Sequence, residues 1–184
     1  YDPTFAYEVA VILQDGLRRM VQEQEDVFYY LTLLNENYAH PALPEGAEQD
    51  ILKGMYLLRK GPAGNGPRVQ LLGSGAILRE VIAAAELLKQ DWGVEADLWS
   101  CPSFTQLARD GQAMARLNLL HPTDKPKLSH VEQCLAATEG PVIAATDYMR
   151  AYAEQIRAFV PRRYTVLGTD GFGRSDGRPA LRDF

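Results

Sequence analysis

The stretch "RVQLLGSGAILREVIAAAELLKQDWGVEADLWS", Arg68 to Ser100, decides the fold. It opens with "RVQLLG", a short run rich in Val and Leu that reads as a strand, passes through Gly73 and Gly75, and then changes period. Ile77, Val81, Ala85, Leu88 and Trp92 recur at helical spacing on one face, and Gly93 supplies the stop. "VEADLWSC" (94–101) follows as a second strand. Strand, helix and strand in immediate succession predict a crossover unit of a largely parallel sheet.

Working outward, "GMYLLRK" (54–60) reads as a strand that reverses through the hairpin-like loop "GPAGNGP" (61–67), which supplies one antiparallel edge pair. Downstream, "FTQLARDGQAMARLNLL" is helical or broken-helical, "KPKLSHVEQCLAAT" is a loop leading into a short helix, and "GPVIAATD" is a buried strand. Met149, Tyr152, Ala153, Ile156, Phe159 and Val160 make a helical stripe ended by Pro161, and "YTVLGT" is the last strand. The expected architecture is an α/β fold, a three-layer α/β/α sandwich around a mostly parallel five-stranded sheet with one antiparallel edge.

The upstream part follows a different pattern. Asp2 and Pro3 read as cap and first turn of a helix over residues 3–22, with Phe5, Val9, Ile12, Leu13, Leu17 and Met20 on its apolar face. "VFYYLTLL" (27–34) is short, aromatic and β-branched, and so predicts a strand whose tyrosines pack in a core. Asn35 to Gly46 is dominated by turn formers without periodicity and marks a linker. The predicted division is therefore 1–46 and 47–184. The chain starts directly at a helix entry and stops just after a loop.

With 46% apolar and 23% charged residues and a net charge of −5, the chain reads as a globular protein. That charge gives no reason to expect nucleic acid or an anionic membrane as partner. No stretch approaches a membrane span, and the start lacks the basic head of a signal peptide. Cys101 and Cys134 fit neither a disulfide framework nor a zinc site and are expected as reduced thiols in the cytoplasm.

The chemistry-bearing motifs are sparse. At Gly73 and Gly75 a strand runs into a helix, where a dinucleotide fold would hold phosphate, and Glu95 or Asp97 has the spacing of the ribose contact. Leu78 stands where the third glycine belongs, so a tight turn is the expected role. "VLGTDGFGRSDG" (166–177) likewise reads as a glycine-rich turn after the last strand. His40, His121 and His130 lack metal-site spacing, and Ser74 lacks the full nucleophile elbow. Asn35, Glu36, Asn37 and Tyr38 form the polar segment least explained by a core, and they lie where α/β folds open a ligand crevice.

Seven blocks carry a resemblance: "YDPTFAYEVAVILQDGLRRM", "VFYYLTLLNENYAHPALPEGAE", "VQLLGSGAILREV", "SFTQLARDGQ", "LLHP", "TDYMRAYAEQIRAFVP" and "VLGTDGFGRSD". Together they resemble the C-terminal part of the homodimeric, bacterial-type pyruvate dehydrogenase decarboxylating components, over essentially the whole chain. The resemblance implies the end of a pyrimidine-binding middle domain over 1–46 and a transketolase-like C-terminal domain over 47–184. It also implies decarboxylation of pyruvate on thiamine diphosphate with magnesium, and transfer of the acetyl group to the lipoyl group of a dihydrolipoyl acetyltransferase component. The related decarboxylase of 2-oxoglutarate and transketolase are alternatives, as is a non-catalytic assembly module. "TDGFG" resembles the Asp-Gly pair that thiamine diphosphate enzymes use for magnesium, but no matching Asn ligand follows. No catalytic, cofactor or metal residue therefore carries over, and none is expected within this chain. Scaffold and dimer contacts are its expected contribution, with Asp170 and Arg174 as candidate interface residues.

Overall fold

The computed structural model describes residues 1–64 and 66–183, with Arg178 as backbone only. The chain begins with α1 (Ala6–Leu17), prolonged by a π turn at Arg18–Gln22, and continues through α2 (Glu48–Lys53) and β1 (Tyr56–Arg59). There follow β2 (Arg68–Gly73), α3 (Ile77–Trp92), β3 (Glu95–Ser100), α4 (Phe104–Leu120) and α5 (His130–Leu135). β4 (Val142–Met149), α6 (Arg150–Glu154), β5 (Tyr164–Thr169) and α7 (Arg178–Asp183) complete it.

One five-stranded sheet runs in the order β1-β3-β2-β4-β5. β2 lies parallel to β3, from Arg68 opposite Glu95 to Gly73 opposite Ser100, and parallel to β4 on its other side. β4 and β5 are parallel, and β1 alone is antiparallel, against β3. Because strand side chains alternate between faces, Val69, Leu71, Ala96 and Leu98 meet Leu78, Val81 and Ala85 of α3 on one face. Leu72, Trp99, Val142, Ala144, Tyr164 and Val166 point the other way, against Phe104 and Leu107 of α4, Val131 and Leu135 of α5, and Ala153 of α6. That arrangement is the expected three-layer sandwich. A smaller core joins Ile12 of α1 to Ile51 of α2 and Tyr56 of β1.

α4 runs unbroken through Gly111, whose missing Cβ leaves room for the Phe159 ring, and Ser103 caps it by accepting from the Gln106 amide at 3.1 Å. Under the sheet's amino-terminal end, Asp97 accepts from Arg68, from the Gly61 amide and from Gln70 at 2.7 to 2.8 Å. Gln70 in turn accepts from the Trp99 indole at 2.8 Å. The acid at the ribose-contact spacing is thus committed to the scaffold, and Glu95 is paired with Lys89.

Several expectations are corrected. The loop at 61–67 does not close a hairpin; β1 pairs with β3, one place further along, because Arg68 and the Gly61 amide both fasten the loop to Asp97. Asn65 of that loop lies outside the described residues. Residues 27–34 belong to no strand of the sheet; their backbone is tied to Tyr1, which donates to Tyr30 and accepts from the Thr32 amide. Tyr30 is 74% exposed rather than packed in a core. Asp2 does not cap α1, which starts at Ala6. Leu13, Leu17 and Met20 of the predicted apolar stripe are exposed. Trp92 lies in the last turn of α3 and is exposed, whereas Leu78 is buried. Met149 closes β4, so the stripe that was expected to begin there as a helix starts at Arg150. The helices α2 and α7 went unpredicted.

Candidate functional site

In an open α/β sheet, ligands gather at the carboxyl ends of the strands where connections diverge. Here β2 leads through α3 to β3 on one side and β4 leads through α6 to β5 on the other, so the divergence lies between β2 and β4. Residues 2–4 lie beside that mouth, fastened to the turns that follow β2 and β3. The Gly75 amide donates to the Asp2 carbonyl at 3.0 Å, and Thr4 Oγ1 donates to the Gly75 carbonyl at 2.8 Å. Asp2 carboxylate oxygens stand 2.5 Å from where a Gly75 Cβ would be, and the Asp2 amide donates to the Pro102 carbonyl after β3 at 2.7 Å.

Glu8 secures this segment. Its Oε2 accepts from the Thr4 and Phe5 amides at 2.5 and 3.0 Å, and its Oε1 accepts from Tyr56 and Ser100 hydroxyls at 2.6 Å each. Four donors satisfy a fully buried carboxylate. Tyr7 adds its hydroxyl at 2.6 Å from that of Tyr56, and burial pushes the Tyr7 phenol up to about 12. Sequence reading passed over Glu8, although a charge set between Phe5 and Ile12 on an apolar stripe is a signal of a buried polar contact.

Two clefts flank this junction. One, of about 630 Å³, opens by the start of α4 and is lined by tyrosines 1, 29, 148 and 152 with Arg19 and Arg109. Burial pushes Tyr29 and Tyr152 up to about 12, so both remain phenols that donate hydrogen bonds at neutral pH. The other, of about 460 Å³, lies between residues 38–41 and the face formed by β1 and α3.

The predicted polar segment lies at this second cleft. Asn35, Glu36 and Asn37 are exposed and Tyr38 is half-buried. Glu36 accepts from Arg79 of α3 at 2.6 Å, and the Arg79 guanidinium sits 4.3 Å from the centre of the Tyr38 ring. Asp170 is exposed after β5 with Arg150 3.6 Å away, and Arg174 is exposed in the glycine-rich loop. These two groups are therefore anchored on different helices, Glu36 on α3 and Asp170 on α6. His40 accepts from the Ala6 amide at 3.0 Å and so supplies the cap that Asp2 does not. His130 is buried with Nε2 2.8 Å from the Met55 carbonyl, and His121 ends α4 exposed. Burial raises both thiols, Cys134 to about 12, which leaves them protonated and unreactive at neutral pH.

Residues 54–184 match the family described as the transketolase-like TK C-terminal domain. The chain belongs to this transketolase-like C-terminal domain family. Ahead of that domain, residues 1–41 match the pyruvate dehydrogenase E1 component middle domain. The chain is 70% identical over 185 residues to the pyruvate dehydrogenase E1 component of Cupriavidus necator, covering 100% of this chain and 21% of that protein. Its identity to the protein of the same name from Pseudomonas aeruginosa is 61% over 185 residues, again 100% of this chain and 21% of the relative. To that of Escherichia coli K12 it is 56% over 184 residues, 99% and 20% respectively. The chain thus spans about a fifth of the length of these relatives. No helix among the described residues is long and apolar enough to cross a membrane.

Thiamine diphosphate and magnesium, the groups such a family implies, do not fit the β2-to-α3 turn or any acidic cluster among the described residues. At the β2-to-α3 turn, where the sequence would put a phosphate loop, the Asp2 carboxylate stands against Gly75 and repels an anion. Among the described residues, no three of His, Cys, Asp and Glu gather as a metal site.

Proposed function

We propose that this chain is the C-terminal part of a pyruvate dehydrogenase decarboxylating subunit. In this reading, residues 1–46 end the pyrimidine-binding middle domain and 47–184 form the C-terminal domain. The observation that carries it is the 70% identity over the whole chain to a protein of that name, supported by the two family matches in the same order. The whole subunit decarboxylates pyruvate on thiamine diphosphate with magnesium and passes the acetyl group to the lipoyl arm of the dihydrolipoyl acetyltransferase component. It works as a homodimer in the cytoplasm. This region holds the junction between the two domains, through Asp2, Thr4 and Glu8, and offers Asn35 to Tyr38, Asp170 and Arg174 to interfaces. The cofactor is held by the parts of the subunit outside these residues.

The test pairs two proteins. The full-length subunit, given pyruvate, thiamine diphosphate and magnesium, is expected to acetylate a lipoyl domain. The isolated 184 residues are expected to give a flat calorimetric titration with thiamine diphosphate. A full subunit that prefers 2-oxoglutarate to pyruvate, or micromolar cofactor binding by the isolated chain, overturns the reading.

A further inference from the structure

The cleft of about 460 Å³ beside Tyr38 has the size and lining of a small-molecule site. Its floor is Phe5 and Leu98, both buried in the α3-side core, and its walls are Leu58, Ile82 and Tyr38. Arg59 and Arg79 lie at its rim.

The wall formed by residues 38–41 is held in place. The Tyr38 hydroxyl donates to the Thr4 carbonyl, and its ring stacks on His40 at 4.6 Å between centroids. His40 in turn accepts from the first amide of α1 and packs edge-on to Phe5. Arg79 covers the outer side of the Tyr38 ring. A cleft fixed this way loses little freedom when a ligand enters, which favours binding.

Charge selects the ligand. Both rim residues are guanidiniums, and their present partners are Glu36 for Arg79 and Glu86 for Arg59. The Glu86 side chain is 63% exposed and that of Glu36 41% exposed, so exchanging either for another carboxylate forfeits little. A ligand with one carboxylate gains a bidentate guanidinium contact at the rim while its body covers Phe5, Leu58, Ile82 and Leu98.

We propose that this cleft is a binding site for an apolar monocarboxylate. The site joins a segment matched to the middle domain, contributing Phe5, Tyr38, Ala39 and Pro41, with the transketolase-like domain, contributing Leu58, Arg79, Ile82 and Leu98. Occupancy therefore ties the two segments together.

The probe is 2-naphthoate, titrated into the full-length subunit by saturation-transfer NMR, with 2-naphthol as its neutral counterpart. Saturable submillimolar binding of naphthoate is expected. Arg79→Gln is expected to weaken naphthoate at least fivefold while changing naphthol less than twofold. Ile82→Trp, which fills the cleft, is expected to weaken both at least tenfold. Circular dichroism melts check that each variant is folded. Absence of saturable binding in the unmodified subunit overturns the proposal, and so does equal loss of naphthoate and naphthol in Arg79→Gln. Unchanged binding in a folded Ile82→Trp variant also overturns it. Pyruvate turnover by the unmodified subunit reports separately on the decarboxylase assignment.

Discussion

Residues 54–169 and residues 1–46 meet the same physical demand in different ways. In the first region each strand finds its neighbours within the chain and each helix buries its apolar face on the sheet, so that Leu72, Phe104, Leu107 and Ile156 are fully buried. In the second, α1 and the π turn that prolongs it point Leu13, Leu17 and Val21 outward, and the extended run 27–34 leaves Phe28 88% exposed. What holds the second region to the first is two buried apolar anchors, Phe5 and Ile12, together with directed polar contacts: Glu8 with Tyr56 and Ser100, and Asp2 and Thr4 at Gly75. One region is stabilised mainly by apolar burial throughout, the other by a few buried anchors and directed hydrogen bonds, with the rest of its apolar side chains exposed. Their responses to substitution should differ accordingly.

The largest contrast comes from two phenylalanines. Phe104→Ala leaves a cavity between α4 and the sheet and is expected to cost about 3–5 kcal/mol in urea unfolding. Phe28→Ala, on the exposed run, is expected to change stability by no more than about 0.5 kcal/mol. Similar costs at both positions would show that residues 27–34 are packed as tightly as the sheet, and the contrast would collapse.

Next comes Glu8→Ala, which strands two hydroxyls and two amides in a buried place and is expected to cost about 2–4 kcal/mol. The same variant should expose residues 23–46 to limited proteolysis while 54–169 stays resistant. Cleavage spread evenly over both regions would mean that Glu8 supports the sheet itself rather than the junction.

The contrast also explains which parts of the fold the sequence made legible. Arg68 to Ser100 carries its own answer: the period changes from strand to helix and back, and every partner needed to satisfy it lies within the same sheet. The place of β1 was not legible, because Gly and Pro in 61–67 signal a reversal but do not name the strand that receives it. That choice is made by Asp97, far along the chain, through Gly61 and Arg68. Val27 to Leu34 has strand composition, yet a strand also needs a neighbouring edge, which composition does not supply. The polar run Asn35 to Tyr38 was found, but Arg79, which gives it an anchor, lies on another element 43 residues from Glu36. Spacing along the chain carries no signal for such a contact.

Gly75 probes the junction with a smaller effect. It holds φ +49°, and an added Cβ would press on the Asp2 carboxylate, so Gly75→Ala is expected to cost about 1–3 kcal/mol. Part of that cost is backbone strain and part is collision, and Asp2→Ala removes only the second. In a double-mutant cycle the two substitutions should couple by about 1 kcal/mol, with Gly75→Ala milder in the Asp2→Ala background. Strict additivity would place Asp2 outside the junction.

The smallest effect lies wholly within the first 46 residues. Burial alone pushes the Asp15 carboxyl up, but hydrogen bonds from Tyr29 at 2.5 Å and Arg18 at 2.6 Å, with the charges of Arg18 and Arg19, outweigh it and leave the group below its ordinary value. A depressed carboxyl in the folded state contributes stability above the unfolded value near pH 4 and loses it as pH falls through the folded value. Because Arg18 is half exposed, the contribution should stay below about 1 kcal/mol. Unfolding curves at pH 6 and pH 3 are expected to show a slightly smaller loss for Asp15→Asn than for the unmodified chain. Since the pair Asp15 and Tyr29 binds α1 to the extended run, that difference should appear in proteolysis at 23–34 before it appears in the sheet. An acid response that Asp15→Asn leaves unchanged would assign it instead to carboxylates of the sheet region, such as Glu154, which its partner Arg157 holds below the ordinary range.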